Sequence, residues 1–356
     1  MQANQNLLLK GVLAEAVKFR AADLHFSVGN APLLRIDGQL TPMADQAVIN
    51  QDFMKDLINL LLTDAQKDTL KERKELIFTY DFEKGLRFKV NIFYQQGFLS
   101  ATFRYISPQT PTIDSLGLEE TVKKIAGVKK GLVIISGNFG SGRSSTAASI
   151  IEEINQTRKE YIIAVEDPIE YIFTNKKSII EQREVGKDTN SYADAINYFQ
   201  EEDGDVLFLD QADDPKIIPS ILELARAGSL VITVMSADSA SKTVSRILDS
   251  FQSFDQERIR NLLATSLKAI LCQKLLPKSG GGLVVVQEIM MVNDAIKSII
   301  ASGNIAQLDT IIQTSRKENM ISFNQSLAEL YGARRISLED ALENATDKKT
   351  FENLIQ

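Results

Sequence analysis

The stretch GNFGSGRSS, Gly137 to Ser145, decides how this chain is read. A phosphate-binding loop follows G-x-x-x-x-G-K-[ST]. Gly137, Gly142 and Ser144 fall on its fixed positions, and Arg143 stands where the lysine belongs. A glycine-rich match alone is weak, because glycines also mark ordinary turns. Here an apolar run, Leu132 to Ser136, leads into the loop, and the helix-compatible run STAASIIEEI leaves it. A strand, a glycine loop and a helix in that order aim backbone N–H groups and a helix N-terminus at a bound anion.

Working outward, the apolar runs GLVIIS, YIIAVE, DVLFLD and SLVITVM alternate with helical segments. Continuous runs of this kind suit strands covered on both faces, hence a parallel sheet in a doubly wound α/β domain. From about Asp294 the chain reads as helices, among them DAIKSIIASG and the segment after Ser337, where Asp340 completes a capping-box pattern. Upstream, LLLKGVLAEAVKFRA has helical spacing, and DLHFSVG and LLRIDGQL read as extended chain around an Asp37–Gly38 turn. LRFKVNIFY then places Phe88, Val90, Ile92 and Tyr94 on one face. After a turn at Gly97, FLSATFRYI answers with Leu99, Ala101, Phe103 and Tyr105. This predicts an α+β module with an antiparallel sheet. SPQTPTIDSLG, with two prolines, separates the halves and predicts a linker over 107–117, between a first domain over 1–106 and a second over 118–356.

At 356 residues, 44% hydrophobic and 24% charged, the chain has room for two globular domains. Its 47 acidic and 40 basic residues give a formal charge of -7, which offers no overall attraction to nucleic acid or an anionic membrane. The pairs Lys123–Lys124 and Lys176–Lys177 read as solvated faces. The single Cys272, in AILCQKLL, excludes an intramolecular disulfide framework and reads as a buried thiol. No signal peptide opens the sequence and no apolar run reaches the roughly 18 residues of a membrane span, so a cytoplasmic protein is expected.

VEDPIEY (Val165 to Tyr171), QREVGKDT (Gln182 to Thr189), DVLFLDQ and QKLLPKSGGG (Gln273 to Gly282) follow the loop in a specific order. With ADLHFSVGNAPLLRIDGQL in the first half, they make the chain resemble the PilT-like branch of the secretion ATPase superfamily, the hexameric motors of type IV pili and type II secretion. The resemblance covers nearly the whole chain. It implies a PAS-like N-terminal domain and a RecA-like P-loop domain with C-terminal helices. It also implies a ring of six subunits with nucleotide sites between neighbours, and docking on an inner-membrane platform protein. The nucleotide-binding set it implies is Gly137, Gly140, Ser141, Gly142, Arg143, Ser144 and Ser145, with ATP or ADP as ligand and Ser144 holding Mg²⁺. Glu166 matches the acidic-box glutamate near water and metal, with Glu170 beside it. Arg87 and Arg104 match arginines presented to the neighbouring subunit's nucleotide, with a surface ion pair as the alternative for each.

Against that pattern the chain departs at its chemistry. Arg143 carries the lysine's charge on a wider planar fork, which is not a conservative swap at an enclosed site. Aligning on DVLFL puts Asp210 and Gln211 where the family has glycine and glutamate. Gln211 can orient water but cannot take its proton. A slip of one residue would make Asp210 the carboxylate, and that alternative stays open. Ser229 and Ser236 fall where relatives have histidines, and Asp213, Asn197 and Glu201 where they commonly have arginines. His25, the only histidine, matches the family's DLH stretch in the first domain and reads as structural. The expectation is a motor paralogue that folds and assembles like its relatives but hydrolyses ATP weakly or not at all. It would act as its own ring or mixed with an active PilT-like motor. An active retraction or secretion ATPase, or a scaffold that binds no nucleotide, are the alternatives. No nucleic-acid partner is expected.

Overall fold

The structure, a computed structural model, describes residues 2–19, 21–36, 38–82 and 85–356. It divides into two compact units, one ending at Gln109 and the other beginning at Thr110. The proposed turn residue Asp37 and Arg20 of the first helical segment lie outside the described residues. Gly38, beside Asp37, has φ +82.

The first unit runs α1 (Gln2–Lys18), β1 (Asp23–Ser27), β2 (Leu33–Ile36), β3 (Gln39–Pro42), α2 (Gln51–Leu61), α3 (Asp64–Arg73), β4 (Glu75–Asp81), β5 (Arg87–Gln95) and β6 (Phe98–Ile106). Its sheet has the order β3-β2-β1-β6-β5-β4, with every pairing antiparallel. The alternation in β5 and β6 sets this arrangement: Phe88 faces Tyr105, Val90 faces Phe103 and Ile92 faces Ala101. Phe88, Val90, Ile92, Ala101 and Phe103 are buried against Leu9, Val12 and Leu13 of α1 and Phe53, Met54 and Leu57 of α2. Phe103 meets the rings of Phe26 and Phe88 edge-on at 5.6 and 6.2 Å. Tyr94 has the same parity but is 38% exposed, because it sits by the Gln96–Gly97 turn, with the α3 C-cap residue Lys74 over its ring.

The second unit begins with α4 (Thr121–Ala126), β7 (Gly131–Gly137), α5 (Arg143–Thr157), β8 (Tyr161–Glu166), β9 (Ile179–Glu184), α6 (Tyr192–Tyr198) and β10 (Val206–Leu209). It continues through α7 (Ile218–Ala227), β11 (Leu230–Met235), α8 (Ala240–Asp249), α9 (Ser253–Ser266), β12 (Leu267–Pro277) and β13 (Leu283–Met291). The last elements are α10 (Asp294–Ser302), α11 (Leu308–Thr314), α12 (Phe323–Gly332), α13 (Leu338–Asn344) and α14 (Lys348–Ile355). The sheet order is β13-β12-β7-β11-β10-β8-β9. The four apolar runs are β7, β8, β10 and β11, buried and mutually parallel, as both-face coverage by helices requires.

The sheet departs from an all-parallel arrangement at one edge, where β13 pairs antiparallel with β12. The connection between them is only Lys278 to Gly282, too short for a crossover, and Gly280, Gly281 and Gly282 all have positive φ. The helical tail starts at Asp294, capped by Asn293, and Ser337 caps α13 through the Asp340 N–H. Because β7, β8, β10 and β11 point the same way, their carboxyl ends share one edge of the sheet. That edge carries the 137–145 loop, Glu166, Asp210 and Ser236, and in doubly wound sheets it is the ligand edge.

Phe103→Ala is expected to cost about 3–5 kcal/mol of stability in urea unfolding, and Tyr94→Ala less than about 1 kcal/mol, although the two positions read alike in the sequence.

Candidate nucleotide-binding site

The loop has its form because a distant strand closes over it. β12 pairs with β7 so that Gln273 lies opposite Gly137. A Cβ on Gly137 would stand 2.4 Å from Ser141 Oγ and 2.6 Å from the Gln273 carbonyl, and one on Gly142 3.2 Å from Gln273 Nε2. That amide donates to the Ser141 carbonyl at 2.6 Å, and the Ser141 N–H donates to the Asn138 carbonyl at 3.1 Å. Gly140 and Gly142 have φ +79 and +86, which only glycine adopts freely. The first turn of α5, Arg143 to Ser145, presents N–H groups that no helical carbonyl accepts. The Ser141 and Thr146 hydroxyls are buried without a hydrogen-bond partner. A compact backbone cradle, orphaned hydroxyls and a helix N-terminus together fit a phosphate chain.

Ser144 is exposed beside the loop, and the Ser145 hydroxyl meets Tyr171 Oη at 2.8 Å. Arg143 does not lie along the loop. Its Nη1 crosses to the end of the neighbouring β11, donating to the Met235 carbonyl at 2.8 Å and to Ser236 Oγ at 2.9 Å. Desolvation lowers the guanidinium pKa, and the nearby Asp213 carboxylate opposes that shift.

The carboxylates gather on the other side. Ser144, Glu166, Glu170, Tyr171 and Asp210 line one narrow cleft. Glu166 ends β8 and is 5% exposed, and Gln182 Nε2 donates to its Oε1 at 2.9 Å. Burial pushes its carboxyl up to about 8, with Asp210 and Glu170 adding to the rise and the Gln182 hydrogen bond opposing it. Asp210 accepts from Tyr192 Oη and, at 3.1 Å, from the Asp167 N–H. Burial, followed by the Asp210 charge, raises the Tyr192 phenol. A divalent cation held by Ser144 beside these carboxylates would supply the positive charge that the cleft lining lacks. β9 explains why EDPIE and QREVG travel together: it lies parallel to β8 with Glu184 opposite Glu166. That pairing brings Gln182 to both Glu166 and the Tyr171 carbonyl, the latter at 2.8 Å.

Other residues singled out in the sequence fall elsewhere. Gln211 is exposed and does not line the cleft; Asp210 is the residue that does. Ser229 precedes the amino end of β11, a strand length from the loop, and Asn197 and Glu201 are exposed. Arg87 and Arg104 belong to the first unit. Arg87 pairs with Asp81 at 3.5 Å and donates to Thr79 at 2.8 Å, and Arg104 pairs with Asp23 at 2.8 Å. His25 is half-buried, with Nδ1 3.1 Å from Thr102 Oγ1. Cys272 is fully buried, and desolvation pushes its thiol up to about 12. Gln273 and Gln182 open the QKLLP and QREVG segments and reach the site through strand pairing, whereas nothing in the local sequence of Tyr192 or Met235 marks them for it.

The strand–loop–helix cradle, a hydroxyl at its mouth and carboxylates on adjacent strand ends define a P-loop nucleotide-binding domain. Residues 2–348 match the family described as Type II/IV secretion system protein. The chain is 33% identical over 340 residues to the type IV pilus retraction ATPase PilT of Pseudomonas aeruginosa, covering 96% of this chain and 98% of that one. It is 31% identical over 321 residues to a twitching motility protein of Neisseria gonorrhoeae, covering 90% and 86%. A solved structure of the pilus retraction motor PilT with bound ADP superposes with a TM-score of 0.84 at 36% identity, covering 97% of this chain and 98% of that one. The chain therefore belongs to the type II/IV secretion system protein family, in its PilT-like branch. Among the described residues no helix is long and apolar enough to cross a membrane.

Two outcomes follow from this geometry. Gly137→Ala is expected to displace the loop and abolish saturable binding of labelled ATP while circular dichroism stays unchanged. Glu166 has a folded pKa of about 8, above its unfolded value near 4.5, so its protonated form favours the fold. The stability this contributes is complete below the unfolded pKa and is lost as pH rises towards 8. Without nucleotide, Glu166→Gln is expected to flatten the fall in melting temperature between pH 5 and 8, a difference on the order of 3 kcal/mol.

Proposed function

We propose that this chain is a motor-family subunit that binds ATP or ADP with Mg²⁺ at the 137–145 loop and turns it over weakly or not at all. It serves as a regulatory or structural partner of a pilus motor. The observation that carries this reading is Arg143, whose guanidinium is committed to Met235 and Ser236 instead of lying along the phosphate cradle. The exposed Gln211 adds no carboxylate at the end of β10. The similarity to a PilT structure with bound ADP supports nucleotide binding, and the glycine cradle provides for it. In this reading six subunits form a ring, alone or mixed with an active PilT-like motor. Residues 107–117 connect a PAS-like domain, 1–106, to a RecA-like domain, 118–356. Arg87 and Arg104 reach a neighbour's nucleotide, and the ring works in the cytoplasm against an inner-membrane platform protein.

A second reading, an active ATPase, draws on Asp210 and Glu166 sharing the cleft with Ser144, since a carboxyl titrating near neutrality suits proton transfer.

Phosphate release by the purified oligomer, measured beside an active motor of the family, is expected to be at least about 10²-fold slower, with saturable binding of labelled ATP. Ordinary turnover that Asp210→Asn abolishes would establish the second reading. Absence of saturable binding would leave only the scaffold.

A further inference from the structure

Ser236 is the residue on which three separate charged groups converge. Its hydroxyl accepts from Arg143 Nη1 at 2.9 Å, its N–H donates to Asp213 Oδ1 at 3.4 Å, and its carbonyl accepts from Arg246 Nη1 at 2.9 Å. Asp213 and Arg246 close the ring with an ion pair at 3.3 Å. The Met235 carbonyl, at 2.8 Å, supplies the second oxygen on the same Arg143 nitrogen. Arg143 is thus held by two oxygens with a carboxylate behind them, the pattern of partners that a phosphate group would offer it. A short turn, Ala237 to Ser239, joins this cluster to α8, and Ser239 caps that helix through the Lys242 N–H.

We propose that Met235, Ser236 and Asp213 form an internal socket that competes with nucleotide phosphate for Arg143, so that binding nucleotide empties the socket and loosens the 236–239 turn into α8. This rests on the nucleotide-binding reading above and adds to it a device by which occupancy of the loop reaches α8. The planar fork matters: one nitrogen bridges two acceptors with fixed geometry, where an ammonium would act as a point charge. Ser236 and Asp213 are positioning residues here, acting on phosphate through Arg143.

The test is a double-mutant cycle on the full-length protein, titrating fluorescent ATP with Mg²⁺ and following amide exchange over 236–243. Ser236→Ala should bind ATP about 3- to 10-fold tighter than wild type, the equivalent of one hydrogen bond no longer opposing binding, and Asp213→Asn should also bind tighter because it removes the charge behind Arg143. Ser236→Thr, which keeps the hydroxyl, should retain wild-type affinity. In an Arg143→Lys background, neither Ser236→Ala nor Asp213→Asn should change affinity by more than twofold. In the wild type, nucleotide should accelerate exchange over 236–243, and in Ser236→Ala that exchange should be fast already. Saturable binding in which Ser236→Ala and Asp213→Asn equal or weaken the wild type, or act equally in the lysine background, overturns the socket and leaves the nucleotide-binding reading standing. No saturable binding in any variant overturns both.

Discussion

The site depends on one close approach, that of β12 to the end of β7. The backbone at Gly137 has no room for a methyl group because Ser141 and the Gln273 carbonyl occupy it, and the Gln273 amide then holds the loop by the Ser141 carbonyl. The motif would have the right residues without this neighbour but no reason to keep the right shape. The register of β12 is therefore part of the phosphate site. A shift of one residue would turn Gln273 to the opposite face and bring Cys272 or Lys274 against the loop. A bulge between Leu267 and Ala269, and the hairpin to β13, fix that register.

The charge distribution around the loop is lopsided. Glu166, Glu170 and Asp210 share a cleft with Ser144, and among the described residues none that line it is basic. Arg143, the nearest cation in the chain direction, is turned to the far side and neutralised in part by Asp213. Burial raises the Glu166 pKa, and the neighbouring Asp210 and Glu170 carboxylates add to the rise. The protein thus keeps acids on one flank of the loop and the Arg143 guanidinium on the other.

Much of this could be read along the chain. The alternation in LRFKVNIFY and FLSATFRYI specified a hairpin and its buried face. The apolar runs around GNFGSGRSS specified the parallel core of the second unit. β9, β12 and β13 were less legible for physical reasons. β9 is an edge strand, half exposed, and its sequence IIEQRE has no continuous apolar run. β12 carries Gln273 and Lys274 within its apolar stretch. Local motifs gave the loop because its residues are contiguous, whereas Gln273, Gln182 and Ser236 meet the site through pairings between distant strands. The choice between Asp210 and Gln211 turned on a single peptide: β10 stops at Leu209, so Asp210 enters the cleft and Gln211 faces solvent.

The placement of Gln182 makes the length of an edge strand part of the site. Its side chain joins the Glu166 carboxylate, the Tyr171 carbonyl and the Phe173 N–H, so one edge-strand amide ties a twelve-residue excursion of the chain (167–178) to the strand that begins it. An insertion or deletion between Ile179 and Gln182 would present Glu181 or Arg183 there instead, adding a negative charge or a guanidinium beside Glu166. The length of this stretch therefore decides which side chain reaches the buried carboxyl. A change of spacing there would alter the chemistry of the cleft without touching the loop itself.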